Sequence, residues 1–223
     1  MIEVTQQSGQ NPMADGRHDG ALGAVYQAKG ADEVAALYDR WSETYDHEMA
    51  VAGYRHPSIC LALLARHLPR GAAPLLDAGA GTGLIGEWLG IMGYPHVEAL
   101  DISEGMLAKA AGKGAYKAFH RLVLGGPLPF ADGHFAGIVS AGVFTSGHVG
   151  VEGLDELIRI CRPGGIIVLT VKNTLWDGGF SARIAELDGQ RLVALAEETA
   201  PYVSMPGETG TVPSRGLVLK RLA

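Results

Sequence analysis

The sequence predicts an α/β fold with a largely parallel sheet, and two observations carry this prediction. Short apolar segments, typical of buried strands, alternate along the chain with segments whose apolar residues recur at helical spacing. Successive strands separated by a helix pair in parallel, because the crossover returns the chain to the same end of the sheet. The chain has 223 residues, of which 47% are hydrophobic, and it can bury one complete core. We therefore expect a single domain.

The domain is expected to span residues 29–223, after a mobile tail over residues 1–28. The tail is rich in Gln, Gly, Asn and Asp and lacks apolar periodicity, so little apolar burial would offset the entropy lost on ordering it. Two helices are predicted between the tail and the sheet. The second runs from about Pro57, a residue favoured in the first turn of a helix, to Leu68. The first contains a stripe at helical spacing, formed by Val34, Leu37, Tyr38, Trp41 and Tyr45.

The alternation of strands and helices is predicted to begin near residue 74. Its parallel part consists of strand 74–78, helix 83–92, strand 96–101, helix 103–112, strand 118–124, strand 136–141, helix 151–161 and strand 165–171. A helix over residues 180–187 and two late strands, 191–203 and 215–222, complete the domain. The late strands flank the turn-rich segment MPGETGTVPS. Because strands joined by a local turn pair antiparallel, we expect a hairpin at one edge of the sheet.

The first predicted strand runs into a glycine-rich turn, LLDAGAGTG, over Leu75–Gly83. Its three alternating glycines have no side chains and tolerate positive φ, so the backbone can approach a bound ligand closely. Asp101 closes the next strand, eighteen residues beyond the turn. An acid at this place binds the ribose in nucleotide-binding α/β folds. We expect Asp101 to accept from both ribose hydroxyls; the alternative is a capping role in the next helix, which Ser103 can also perform.

The spacing of this turn also bears on the chemistry of the cofactor. A dinucleotide fingerprint, G-x-G-x-x-G, would have its third glycine at the position of Leu84, and a phosphate-binding P-loop would end in Gly-Lys-Ser/Thr. Neither pattern is present, which leaves a cofactor that carries ribose without phosphate. The cationic part of such a cofactor can face Asp77, for which helix capping is the alternative. S-adenosylmethionine fits this description.

Several motifs in register resemble those of class I S-adenosylmethionine-dependent methyltransferases. Asp77–Gly83 resembles their glycine-rich first motif, and Asp101 resembles their ribose-binding acid. Order and spacing match over roughly residues 34–172, and the further elements are Ser103–Met106, Pro127–Phe130 before Asp132–Phe135, and Arg162–Gly165 before the strand Ile166–Val171. The box Tyr38–Asp46 and the segment Ser140–Val149 resemble more specifically the methyltransferase-like proteins of the Williams-Beuren syndrome region type.

This resemblance implies a Rossmann-like sheet of seven strands in the order 3-2-1-4-5-7-6, with the last strand antiparallel and helices on both faces. It implies an enzyme that transfers a methyl group from S-adenosylmethionine to an acceptor and releases S-adenosylhomocysteine. The cofactor would lie across the carboxyl ends of the first two strands. The expected cofactor-binding residues are Tyr45, Asp77, Gly79, Ala80, Gly81, Thr82, Gly83, Asp101, Ile102, Met106, Leu124, Gly125 and Ala141.

The implied cofactor site has an adenine part and a carboxylate part. Leu124 stands where enzymes of this class commonly have an acid that accepts from the adenine amine. We expect adenine to be held here by apolar packing and by backbone groups near Leu124 and Gly125. Tyr45 is expected to reach the carboxylate of the cofactor, with a position in the core as the alternative. Arg55 is a second candidate for that carboxylate, with a solvated side chain as the alternative.

His148 is the candidate catalytic residue. The segment Ser140–Val149 leaves the carboxyl end of the fourth strand, and ligands of open α/β sheets bind at that edge. An imidazole there can remove a proton from an incoming nucleophile near neutral pH; the alternative is a purely structural histidine. The acceptor pocket is expected between the N-terminal helices, this segment and residues 173–180 around Trp176. These walls favour a small molecule over a macromolecule.

Composition argues against several other kinds of partner. A net charge of −6 disfavours binding to nucleic acid. The eight histidines have no metal-ligand spacing with cysteines or acids, so no metal site is expected. Cys60 and Cys161 form no C-x-x-C pair and are expected to be buried free thiols, which suits a reducing cytoplasm. No apolar run approaches the ~20 residues of a membrane span, so a soluble, unexported protein is expected.

Two other classes of function stay open. A protein that binds the cofactor without transferring its methyl group would need no catalytic residue. A nucleotide-dependent oxidoreductase shares the fold class, although the missing third glycine weighs against it.

Overall fold

The computed structural model describes residues 20–145 and 148–222. One mixed sheet contains seven strands: β1 (Leu75–Ala78), β2 (Val97–Asp101), β3 (Ala118–Arg121), β4 (Phe135–Phe144), β5 (Cys161–Lys172), β6 (Val193–Glu198) and β7 (Ser214–Arg221). The helices are α1 (Gly20–Gln27), α2 (Ala31–Trp41), α3 (Tyr45–Ala52), α4 (His56–His67), α5 (Gly86–Ile91), α6 (Glu104–Gly112), α7 (Gly153–Ile160), α8 (Asn173–Leu175), a π-helical turn (Trp176–Phe180) and α9 (Ser181–Gly189).

The order of the strands confirms the predicted fold. It runs β3-β2-β1-β4-β5-β7-β6. Strands β1 to β5 pair with one another in parallel, whereas β7 lies antiparallel between β5 and β6. The two late strands therefore form the expected antiparallel pair at the edge. Strand β1 has β2 on one side and β4 on the other, so the direction of winding reverses beside β1, where open α/β sheets bind ligands.

Helices cover both faces of the sheet, as the alternation of side chains in a strand requires. Ile138 and Ile167 belong to a core cluster with residues of α7 and α9, whereas their neighbours Val139 and Val168 belong to a second cluster with residues of α4. The predicted free thiols, Cys60 and Cys161, are both buried in these cores. Over the two described stretches of chain, no helix combines the length and the apolar character that crossing a membrane would require.

The N-terminal region differs from the prediction. Residues 20–27, assigned to the mobile tail, form helix α1, because Val25 is fully buried in a cluster with Trp41 and Met49. Residues 1–19 lie outside the described residues. The single helix expected around the Tyr38–Tyr45 stripe is in fact two, α2 and α3. The hydroxyl of Ser42 donates to the carbonyl oxygen of Asp39 at 2.8 Å, and such local bonds compete with helix continuation.

From residue 20 onwards, four helices precede the sheet instead of two, and several boundaries move. Strand β3 ends at Arg121 instead of residue 124, before the turn in which Gly125 has a φ of 97°. The helix predicted over 180–187 extends to Gly189. The first late strand is shorter than predicted and spans Val193–Glu198. It cannot begin at Arg191, because this residue adopts a φ of 59°, outside the range of a strand.

Candidate functional site

A cavity of about 510 Å³ opens at the carboxyl ends of β1, β2 and β4. It brings together residues that are far apart in the sequence. Nine of the residues predicted for the site line it: Tyr45, Gly79, Gly81, Asp101, Ile102, Met106, Leu124, Ala141 and His148. The cavity thus lies at the edge of the sheet where the strand order predicts a ligand site.

Asp101 is fixed between the two turns that border this cavity. Its Oδ2 accepts from the backbone N–H of Gly81 at 2.8 Å, and its Oδ1 accepts from the N–H of Ser103 at 2.9 Å. We call Gly79–Gly83 the glycine turn and Asp101–Ser103 the ribose turn. Each carboxylate oxygen has a second lone pair, so Asp101 can still accept from a ligand. Ser103 itself caps α6, because its Oγ accepts from the N–H of Met106.

Burial shifts the pKa of both acids at these strand ends. It raises the pKa of Asp101 above the usual range, although the N–H donors of Ser103 and Gly81 oppose the rise. It raises the pKa of Asp77 to about 7, against the hydrogen bond from Tyr116. The Tyr116 hydroxyl donates to Asp77 Oδ2 at 2.7 Å, and Asp77 is 1% exposed. Asp77 therefore lies beneath the glycine turn and has a partner inside the protein.

The three glycines of the glycine turn are required for different reasons. All have positive φ: 82° at Gly79, 53° at Gly81 and 79° at Gly83. A Cβ at Gly79 would lie 2.2 Å from Val143, and one at Gly83 would lie 2.9 Å from Tyr116. At Gly81 no protein atom lies within 4 Å of an added Cβ. Gly81 is therefore the glycine whose missing side chain leaves room for a ligand.

The other predicted cofactor residues do not line the cavity. They are Asp77, Ala80, Thr82, Gly83 and Gly125. Thr82 is buried, and its hydroxyl donates to Asp46 on α3. A Cβ at Gly125 would meet the side chain of Glu152 at 3.4 Å. Thr82 and Gly125 therefore have anchoring and packing contacts beside the cavity.

Apolar residues form the wall on the β2 and β3 side. Ile102, Met106 and Leu124 line this part of the cavity, as the expected packing around adenine requires. Glu152, an acid that was not predicted from the sequence, lies on the same wall. Its Oε1 accepts from the N–H of Gly150 at 2.8 Å. Its place in a loop of unremarkable composition offered no signal.

Tyrosines and a histidine form the opposite wall. Tyr38, Tyr45 and Tyr54 line the cavity, and the Tyr38 hydroxyl lies 3.0 Å from Nε2 of His148. Burial raises the pKa of Tyr38 well above its usual range, so the phenol is protonated at neutral pH and can donate to a neutral imidazole. Ser146 and Gly147, next to His148, lie outside the described residues.

The remaining candidates have other surroundings. Trp41 is 4% exposed and belongs to the core, as its helical spacing suggested. Arg55 is exposed and does not line the cavity; its Nη1 donates to the carbonyl of Val203 at 3.4 Å. In the 173–180 segment it is Leu175 that lines the cavity, whereas Trp176 stacks with Arg215. Among the residues placed by the structure, no group of three His, Cys, Asp or Glu could hold a metal ion.

Comparison with known proteins identifies a methyltransferase domain in this chain. Residues 76–169 match the family model described as a methyltransferase domain. Human methyltransferase-like protein 27 is 34% identical over 154 residues, which cover 66% of this chain. The chain therefore contains a methyltransferase domain, and its sheet has the strand order of the class I methyltransferase fold. The alignment spans 62% of the human relative, so the chain matches less than two thirds of that protein's length.

Solved structures of distant methyltransferase-fold proteins share the architecture. Burkholderia thailandensis 1,6-didemethyltoxoflavin-N1-methyltransferase, solved with its substrate and S-adenosylhomocysteine, gives a TM-score of 0.61 at 18% identity and covers 88% of this chain and 92% of its own. The [4+2]-cyclase SpnF gives a TM-score of 0.65 at 14% identity and covers 88% of this chain and 97% of its own. At these identities the likeness concerns the fold alone, and it includes an enzyme named for another reaction.

Proposed function

We propose that this protein transfers a methyl group from S-adenosylmethionine to a small-molecule acceptor. The observation that carries the proposal is the position of Asp101, fixed by the glycine turn and the ribose turn at the wall of the cavity. Among the described residues that line the cavity there is no Lys or Arg. A phosphate-bearing cofactor is usually met by such cations, so this lining favours a cofactor with ribose and without phosphate.

The residues present fit that cofactor. Asp101 has acceptor capacity left for the ribose hydroxyls, and the open space beside Gly81 admits the amino-acid portion. Ile102, Met106 and Leu124 offer an apolar wall for adenine. Tyr45 is proposed to reach the carboxylate of the cofactor. When bound, S-adenosylmethionine would supply a methyl group that the acceptor attacks in line, with S-adenosylhomocysteine as the leaving group.

The tyrosine wall is the proposed acceptor side. Tyr38, Tyr54 and His148 combine aromatic surface with groups that can donate or accept hydrogen bonds, which suits a small ring-containing acceptor with a hydroxyl or amine. The toxoflavin relative is named for methylating a nitrogen of such a small ring compound. The protein's contribution is to align the acceptor and exclude water.

The pair of Tyr38 and His148 can also move a proton. As the acceptor loses its proton to the Tyr38 oxygen, the phenolic proton can pass over the 3.0 Å contact to Nε2 of His148. The acceptor then carries the lone pair that forms the new bond to carbon. This step is needed only for an acceptor that is a poor nucleophile when protonated.

Two experiments test the proposal in turn. Isothermal titration with S-adenosylhomocysteine, NAD and NADP should give binding with the first ligand and none with the other two. Binding of a dinucleotide alone would instead support an oxidoreductase. Release of S-adenosylhomocysteine is then measured with a panel of hydroxylated and amino-substituted ring compounds. Binding without turnover on any acceptor would favour the alternative of a cofactor-binding protein.

A further inference from the structure

The Tyr38–Asp46 box contains the pair Tyr-Asp twice, seven residues apart. The structure places the first pair on α2 and the second on α3, which we call the cap helices. Both tyrosines line the cavity. The aspartate that follows each tyrosine instead contacts one of the two turns around Asp101. The two pairs thus combine a residue that faces the cavity with a residue that anchors the helix carrying it.

Asp39 joins α2 to the ribose turn. Its Oδ1 accepts from the Ser103 hydroxyl at 2.5 Å and from the Gly105 N–H at 2.8 Å. These donors, Ser103 first, lower the pKa of Asp39, so the carboxylate is ionised at neutral pH. A Cβ at Gly105 would lie 3.0 Å from the Cα of Asp39, so a glycine is needed for this close approach. Ser103 in turn donates its N–H to Asp101.

Asp46 joins α3 to the glycine turn. Its Oδ1 accepts from the Thr82 hydroxyl, and its Oδ2 accepts from Nζ of Lys113 at 2.6 Å. Thr82 is 1% exposed and adjoins Gly81, whose N–H donates to Asp101. The cap helices are also joined to each other, because Nε1 of Trp41 donates to Glu48 at 2.8 Å. The two anchors therefore lead to different oxygens of Asp101, Oδ1 through the ribose turn and Oδ2 through the glycine turn.

We propose that Asp39 and Asp46 are positioning residues that couple cofactor binding to closure of the cap helices over the acceptor. A ligand that orders the glycine turn and the ribose turn also orders their anchored aspartates. This presents Tyr38 to the acceptor and Tyr45 to the carboxylate of the cofactor. Coupling of this kind is reciprocal, so a fixed cap strengthens cofactor binding. The anchoring is independent of the ligand's identity, whereas the coupling rests on the proposed function.

The first test needs no ligand. Amide hydrogen exchange is measured on the parent and on the variants Asp39→Ala and Asp46→Ala, with Asp32→Ala as the control. Asp32 is an exposed carboxylate on α2. Loss of a hydrogen bond to a charged group should speed local exchange of the cap helices roughly tenfold or more. Amides of β1 and β4 should keep parental rates. Parental exchange of the cap helices in both variants would overturn the anchoring.

The second test is calorimetric titration with S-adenosylhomocysteine. Asp39→Ala and Asp46→Ala should bind roughly 2- to 30-fold more weakly, the range of networks that do not touch the ligand. Asp39→Asn retains an oxygen that can accept from Ser103 and Gly105, so it should recover most of the affinity. Asp32→Ala should match the parent, as should the circular dichroism of all variants.

The outcomes separate the two ideas. A parent protein that binds no S-adenosylhomocysteine would overturn the proposed function and the coupling with it, while the exchange experiment would still decide the anchoring. Equal affinity of the parent and both alanine variants would overturn the coupling alone. Failure of Asp39→Asn to recover affinity would contradict the assignment of the Oδ1 hydrogen bonds as the anchor.

Discussion

Replacement of Asp101 by alanine removes the acceptor on which the proposed cofactor site depends. In the protein its two oxygens accept from the N–H groups of Gly81 and Ser103. In the complex we expect them to accept from two ribose hydroxyls as well. The substitution therefore acts on ligand binding and on stability, and the two effects can be measured separately.

The size of both effects follows from these contacts. Each hydrogen bond between a neutral donor and a charged acceptor contributes about 1.5 to 3 kcal/mol. Loss of two ribose bonds thus weakens binding by at least about 3 kcal/mol, which is on the order of 100-fold. Ser103 is fully buried, and its N–H loses its acceptor, which costs about 1 to 3 kcal/mol of folding stability. For a chain of this size each kcal/mol lowers the Tm by roughly 2 to 4 °C.

Calorimetric titration of S-adenosylhomocysteine measures the first effect, and thermal unfolding followed by circular dichroism measures the second. Glu104→Ala is the matched control, because Glu104 is an acid in the first turn of α6 that pairs with Arg121 at the surface. This control should bind as the parent does. A dissociation constant of Asp101→Ala within about twofold of the parent's would refute the assignment of Asp101 to the ribose.

Three further predictions concern other parts of the site. Gly81→Val should abolish S-adenosylhomocysteine binding while far-UV circular dichroism is preserved, because the valine side chain would occupy the proposed ligand space. Parental affinity in a calorimetric titration would show that this turn does not hold the cofactor. His148→Ala should keep the cofactor affinity but lower kcat/KM for an acceptor by about 10²- to 10⁴-fold if it is a base; a change within about twofold would return it to a structural role. Burial raises the pKa of Asp77 to about 7, so folding takes up a proton at this carboxyl group between about pH 4 and 7. Protonation of Asp77 stabilises the folded state fully below pH ~4, and this stabilisation is lost as the pH rises through 7. Comparison of urea unfolding of the parent and Asp77→Asn should therefore show the parent losing stability relative to the variant between pH 4.5 and 8, on the order of 3 kcal/mol. A stability difference that does not depend on pH would contradict the shift.

Local pattern was sufficient for the fold class but not for every element. The strand-helix alternation predicted a largely parallel α/β sheet, because each buried strand has its own apolar segment. The order of the strands was predicted from the family resemblance, and it is correct. The break between α2 and α3 was missed, since the helical spacing of apolar residues continues across Ser42–Thr44 and a hydroxyl bond ends the first helix. Helix α1 was missed because its order depends on the burial of Val25 against distant residues.

The sequence by itself also determined the centre of the candidate site. Gly79, Gly81 and Asp101 stand at the ends of neighbouring strands, and the parallel sheet brings such ends to one edge. Only the tertiary structure decided where the other polar groups point. Asp77 turns inward to Tyr116, 39 residues away, and Tyr38 meets His148 across 110 residues. Spacing along a chain reports periodicity within one element, whereas such contacts depend on how separate elements pack, and no local pattern encodes them.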